Sequence, residues 1–167
     1  MRESYLRACD ALIAVERKII IGLMAVMTVD VLIGIISRYV AESALVWTEE
    51  AARYMMIWMG FVGMSVALRE GGHVAVDMLV EHTRGGLRRI LVLTIQTLVL
   101  VFLVAVIGAF FALLPVIHYQ TTPVLAIRMM WPYLAIPVGC LLTALEVVAL
   151  MLRGPAGAAA LSPAKSA

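Results

Sequence analysis

Four long apolar runs, separated by short polar or aromatic segments, set the plan of the chain. The first extends from Ile19 to Ser37, carries one ionisable residue, Asp30, and stops at Arg38. The second opens at Thr48, a residue type suited to an N-cap, and has Glu49 and Glu50 in its first turn, where the helix dipole favours anions. It continues through Trp58 and Gly63 to Leu68. The third runs from Ile90 to Leu114, ahead of Pro115. It exceeds the roughly 20 residues needed to cross a bilayer, so it tilts or protrudes. The fourth opens at Trp131-Pro132-Tyr133 and runs to Leu152. Proline suits the first turn of a helix, and Trp and Tyr suit the headgroup level. The pattern predicts an all-α integral membrane protein with four transmembrane helices, over about 19–37, 48–68, 90–114 and 132–152, forming one membrane domain from 19 to 152.

The flanking segments read differently. Over residues 1–18, Arg2, Glu3, Arg7, Asp10, Glu16, Arg17 and Lys18 are charged, whereas Tyr5, Cys9, Leu12 and Ile13 fall near one helical face. That distribution predicts an amphipathic helix lying in the membrane interface. His73 to His82 mixes Val74, Met78 and Leu79 with Asp77 and Glu81 and predicts a second such helix; the alternative for both is a solvated loop. No small-residue cleavage site closely follows the first apolar run, so that run is expected to stay as an anchor. From Gly154 onward the chain is Ala, Gly, Ser and Pro with little else, and the tail over 153–167 is expected to be disordered.

Composition agrees with a lipid setting. Hydrophobic residues make up 63% of the 167 and the mean hydropathy is +1.02, against about half apolar in soluble domains. A net charge of +2 is too small to argue for nucleic acid. The positions of the charges are more informative. Arg2, Arg7, Arg17 and Lys18 precede the first run, Arg69, Arg84, Arg88 and Arg89 lie between the second and third, and Arg153 and Lys165 follow the fourth. Only Arg38, Arg53 and Arg128 fall on the other side. The positive-inside rule therefore places both termini in the cytoplasm and the two short loops, about 39–47 and 115–130, outside. Cys9 precedes the first run and Cys140 lies within the last, so a disulfide between them is not expected and they give no metal-ligand spacing.

Candidate chemistry is sparse. The chain has no glycine-rich phosphate loop, paired cysteines or nucleophile elbow, and His73, His82 and His118 lie in loops or at span ends rather than facing one another within spans. An Asp at the bilayer centre costs about 2.5 to 3.5 kcal/mol on the insertion scale. Asp30 therefore needs a reason. It pairs with Arg53 at the start of the antiparallel second span, the favoured reading, or it faces a partner subunit or a water-filled path. Trp47, Thr48, Glu49, Glu50 and Arg53 form the most informative local cluster. Glu49 and Arg53 are spaced to pair on one helix face, although an interfacial Trp, acids on the dipole and a snorkelling Arg also account for these residue types. Gly63 with Ala67, and Gly108 with Ala112, put small residues four apart and allow close helix approach.

Taken in order, these features resemble the small membrane subunit of tripartite ATP-independent periplasmic (TRAP) transporters, the four-helix DctQ-type component. Arg38-Tyr39 ends the first span; Trp47, Glu49-Glu50 and Arg53 open the second, with Gly63 midway; Arg69, Gly72-His73-Val74 and Asp77 follow it. Gln120, Thr121, Thr122 and Pro123 occupy the outer loop, and Trp131, Tyr133, Ile136 and Pro137-Val138-Gly139 open the fourth span. The resemblance covers roughly residues 20–150. It implies a non-enzymatic subunit of a bacterial inner-membrane secondary transporter, with no cofactor. It also implies two protein partners: a large membrane (DctM-type) subunit that carries the substrate and sodium sites, and an extracytoplasmic binding protein that delivers an organic acid. On this view Asp30, Arg38, Trp47, Glu49, Glu50, Arg53, Gly63, His73, Asp77, Gln120, Pro123, Trp131, Tyr133 and Pro137 are structural or partner-interface candidates, and none binds substrate. Glu49, Glu50 and Arg53 are expected to brace the second span against the first, or against the outer loop near Gln120. The competing readings are a membrane anchor subunit of a redox complex, which needs intramembrane histidines, and a small stand-alone carrier, which needs polar residues lining several spans.

Overall fold

The computed structural model describes residues 2–70 and 86–159. Within them the chain forms α1 (Arg2–Tyr39), α2 (Val46–Arg69), α3 (Gly86–Ile117), the short α4 (Met130–Tyr133) and α5 (Ala135–Ala159). The described residues hold no strand, only an isolated bridge between Thr121 and Arg128. Four helical stretches are long and apolar enough to cross a membrane, α4 and α5 together supplying the fourth over Met130–Arg153. The all-α, four-span expectation holds. The segment 73–82, with His73 and Asp77, lies outside the described residues.

Three element boundaries differ from the expected ones. No break separates residues 3–18 from the first apolar run: α1 is one helix of 38 residues. The stretch between Arg2 and Ile19 contains no glycine or proline to interrupt it. Cys9, Ile13 and Glu16, at helical spacing, are all buried, so this segment presents a packed face rather than a lone interfacial one. At 1.5 Å per residue α1 is about 57 Å long, well beyond a hydrocarbon core of about 30 Å. The second difference is in α3, which continues through Pro115 to Ile117. Proline lacks one N–H bond, but His118 N–H still reaches Leu114 O at 3.0 Å and closes the final turn. Third, α5 runs past Arg153 to Ala159, so residues 154–159, expected in a disordered tail, are helical. The interruption at Leu134, between α4 and α5, coincides with Pro137, which cannot donate to the Tyr133 carbonyl. Leu134 N–H bonds Met130 O at 2.9 Å, keeping the two helices nearly continuous.

The helices pack in a row. α2 lies between α1 and α5, α5 also packs against α3, α1 and α5 touch more lightly, and α3 has no substantial contact with α1 or α2. Within its most apolar stretch the α4/α5 span is 44% buried, against 6% for α1 and for α3. α5 is therefore the inner element, and the outward faces of α1 and α3 carry Val, Ile, Leu and Phe side chains that are left to lipid. The tightest approaches occur at two glycines. A Cβ on Gly139 of α5 would stand 2.5 Å from the Phe61 carbonyl oxygen of α2, and one on Gly34 of α1 would stand 2.8 Å from Thr48 Oγ1. The pairs anticipated from spacing are not the contact points: a Cβ on Gly63 would meet only Ile20 Cδ1, at 3.7 Å, and one on Gly108 nothing within 4 Å.

Candidate functional site

The polar side chains collect at the two ends of the helix row and at one position between them. At the end that holds Asp10, the centre is Arg69, in the last turn of α2, where the helix dipole favours a cation. Arg69 is 9% exposed; its Nε donates to Glu146 Oε1 of α5 at 2.7 Å, and its Nη2 lies 2.7 Å from Asp10 Oδ1 of α1. Arg153 donates to the same Asp10 oxygen at 2.5 Å. One guanidinium thus joins three helices. Its planar fork suits two carboxylates at once, and Glu146, 2% exposed, needs that charge because an unpaired buried carboxylate is strongly disfavoured. Around this centre, buried Ser65 donates to Glu16, Tyr5 Oη donates to Leu145 O at 2.9 Å, and Arg17 pairs with Glu70 at 2.7 Å.

Asp10 precedes the apolar run of α1. Burial pushes its carboxyl up, but the hydrogen bonds and charges of Arg153 and Arg69 outweigh this and hold it below the usual carboxylate value. A carboxyl with a depressed folded-state value stabilises the fold above its unfolded value and loses that contribution as pH falls through the folded one.

At the opposite end, Arg38, in the last turn of α1, pairs with Glu49 in the first turn of α2. Glu49 therefore bridges two helices instead of pairing with Arg53 on its own. Arg53 is exposed and makes no ion pair among the described residues. Both members of the Arg38–Glu49 pair are more than half exposed, so its contribution is about 0 to 1 kcal/mol.

Glu50 carries more. It is 6% exposed and accepts the Val124 N–H at 3.0 Å, the Leu125 N–H at 2.8 Å and the Tyr54 hydroxyl at 2.5 Å. Those two amides belong to the connection from α3 to α4, which is itself tied by Thr122 N–H to Ile127 O at 2.8 Å and Met129 N–H to Gln120 O at 3.0 Å. Thr122 is buried and its hydroxyl accepts the Ile127 N–H. A single carboxylate fastens a folded loop, including Gln120 and exposed Pro123, to the start of α2. Replacing Glu50 by alanine removes three charge-assisted hydrogen bonds at once. The expected result is a loop that comes loose while the helices persist. Hydrogen exchange at the Val124 and Leu125 amides would then accelerate, with far-UV circular dichroism unchanged.

Asp30 does not pair with Arg53. It is 6% exposed, its Oδ2 has no hydrogen-bond partner, and it lies in a groove between α1 and α2 beside Trp47, Ala51 and Met55. Trp47 is thus a wall of this groove. Trp131, 59% exposed, and half-buried Tyr133 sit in α4, and Pro137 lies in the first turn of α5. The described residues contain no group of three or more His, Cys, Asp or Glu able to hold a metal ion. Reading the sequence alone missed the Arg69–Glu146–Asp10–Arg153 cluster. The available signal was that Glu146 and Arg153 fall seven apart, on one face of the fourth span.

Comparison with known proteins follows the same lines. Residues 24–156 match the family described as tripartite ATP-independent periplasmic transporters, DctQ component. The chain is 33% identical over 97 residues to the C4-dicarboxylate TRAP transporter small permease protein DctQ of Rhodobacter capsulatus, covering 57% of this chain and 43% of that one. It is 28% identical over 134 residues to the sialic acid TRAP transporter small permease protein SiaQ of Vibrio cholerae, covering 75% and 72%. It is 26% identical over 132 residues to the isethionate TRAP transporter permease protein DctMQ of Oleidesulfovibrio alaskensis, covering 77% of this chain but 21% of that one. The chain covers less than half the length of several of the curated relatives it matches. With the family match extending over most of the sequence and four helices able to span a membrane, the chain belongs to the DctQ component family of tripartite ATP-independent periplasmic transporters, as a small permease subunit.

Proposed function

We propose that this small permease subunit scaffolds a large membrane subunit of the DctM type in the bacterial inner membrane. The large subunit carries out sodium-gradient-driven uptake of an organic acid delivered by an extracytoplasmic binding protein. Both termini face the cytoplasm, which puts the Asp10 cluster inside and the Glu50-held loop outside, towards the binding protein. The observation that carries this reading is the use made of the buried charges. Buried Arg69 and Glu146, with half-exposed Asp10, lock α1, α2 and α5 together, which supports a fixed support rather than a moving carrier. A translocation site draws instead on polar groups and broken helices at the bilayer midplane. The small-permease names of the relatives support the same assignment.

The test is co-purification. This chain, tagged and extracted in mild detergent, is expected to bring down a large polytopic membrane protein in a one-to-one ratio. Recovery of the chain alone, folded and active in a liposome flux assay, would overturn the reading in favour of an independent carrier.

A further inference from the structure

We propose that the open flank of α2 lies against a membrane-spanning helix of the large permease subunit, with Arg53 paired to a carboxylate on that helix. This rests on the permease-subunit reading above and deepens it by naming the contact. α2 leaves one side uncovered. Glu49, Arg53, Met56, Gly60 and Ala67 are exposed and recur at helical spacing along one face, whereas Val62, Ser65 and Val66 are buried. α2 has 24 residues, a length of about 36 Å at the helical rise, little more than the hydrocarbon thickness of about 30 Å. Arg53 stands about 10 Å from the first residue of α2, so its backbone is inside that thickness. The acids nearest to it in sequence are engaged: Glu49 pairs with Arg38, and Glu50 holds the Val124 and Leu125 amides. Arg53 has no ion-pair partner among the described residues.

An arginine at that depth either reaches up to a lipid phosphate or meets a carboxylate at its own level. The rest of the span favours the carboxylate. α2 is the least apolar of the four spans: its most apolar stretch has a mean hydropathy of 1.3, against 2.7, 3.0 and 2.2 for the others, yet only 17% of that stretch is buried within the chain. Acyl chains suit the uncovered faces of α1 and α3, which are strongly apolar, and suit α2 least. Below Arg53 the flank is low. Gly60 is exposed and a Cβ there would meet nothing within 4 Å, so a second backbone can come close, as where membrane helices meet. The planar fork of a guanidinium binds a carboxylate through two parallel bonds, and charges within spans are kept by such pairing. A helix with one acid therefore matches both the cation and the bare backbone below it; a lipid matches only the cation. In the Oleidesulfovibrio alaskensis permease protein the stretch matching this chain is 21% of a longer chain, so further permease sequence is covalently joined to it there.

The experiment uses the whole transporter. A photo-crosslinking benzoylphenylalanine is placed at Met56, and the adducts are identified by mass spectrometry. Adducts to a membrane-spanning helix of the large subunit that carries an Asp or Glu are expected. In parallel, Arg53→Met should lower the large subunit co-purified with this chain by about three- to thirty-fold, the range of one interhelical polar contact in a membrane. Arg53→Glu should lose more, and changing the acid on the crosslinked helix to arginine should recover it. Gly60→Leu, which raises the flank, should also lower the yield. Thermal unfolding of the isolated chain separates these losses from misfolding: Arg53→Met and Gly60→Leu should melt no lower than wild type, and a lower midpoint for both would assign the loss to this chain's own fold and overturn the proposal. If wild-type chain retrieves the large subunit but the adducts are to lipid, to a second copy of this chain or to the binding protein, the flank proposal is overturned and the permease reading stands. Full retention of the large subunit by Arg53→Met has the same meaning. If wild-type chain retrieves no large membrane protein, the permease reading fails and takes the flank proposal with it.

Discussion

Arg69→Met is expected to destabilise the chain by about 3 to 5 kcal/mol, the usual penalty for removing one member of a buried ion pair. The reason lies less in the arginine than in what it leaves behind. Glu146 is 2% exposed and, among the described residues, its only ion-pair partner is Arg69. Asp10, half exposed, keeps Arg153 and suffers less. The double variant Arg69→Met, Glu146→Leu removes both charges and fills the space with apolar groups, and it should recover most of the lost stability, because a buried pair and its hydrophobic replacement are often close in energy. Arg69→Lys should fall between, since an ammonium cannot reproduce the fork that meets Glu146 and Asp10 together. Thermal unfolding of the detergent-solubilised chain, read across these variants as a double-mutant cycle, checks the claim. Equal losses in the single and double variants would show that Glu146 does not depend on Arg69.

The second large effect is expected at Gly139. Gly139→Leu drives a side chain into the backbone of α2, because even a Cβ would stand 2.5 Å from Phe61 O and 2.6 Å from its carbonyl carbon. Backbone cannot swing aside as a long side chain can. α2 and α5 must move apart, and the Arg69–Glu146 contact joins the same two helices. Overpacking of this kind costs about 1 to 3 kcal/mol or more. Gly139→Ala should already show part of the loss. Gly108→Ala is the matched control: nothing lies within 4 Å of its Cβ position, and a glycine-to-alanine change within a helix tends to stabilise by about 0.5 to 1 kcal/mol. Unfolding midpoints that move alike at the two glycines would remove the close-approach argument.

The parts of the fold readable from sequence were those imposed by lipid. A membrane span must be a contiguous apolar run, and all four spans show as such. Being a transporter component, the chain is not an enzyme, in keeping with its lack of a catalytic motif. What stayed hidden depends on residues far apart in the sequence meeting in space. Arg69 read as one more positive loop residue and Glu146 drew no assignment, because neither shows that the ends of α1, α2 and α5 converge. The Glu49–Arg53 expectation failed for a different reason. Spacing on one helix is a weak preference, and the short link from Tyr39 to Val46 brings Arg38 within reach of Glu49 first. Small-residue pairs indicated that some helices approach closely, but not which helix face does so. Gly34 and Gly139 make the approaches, and each is recognisable only once its neighbour is known. Asp30 was conspicuous in the sequence, and its Oδ2 has no hydrogen-bond partner among the described residues.

The helices follow the order α1–α2–α5–α3 with only a light α1–α5 contact across it, so the row has little interior away from the Arg69 cluster. α1 and α3 present most of their surface outward, and in an isolated chain that surface is solvated by acyl chains. Such an array resists separation of neighbours but bends easily out of its own plane, much as a fence does. Laid along the side of a larger membrane body it would gain the stiffness it lacks and lend that body a wider footprint. Its curvature, and with it the tilt of the long α1, would then be set by what it leans on.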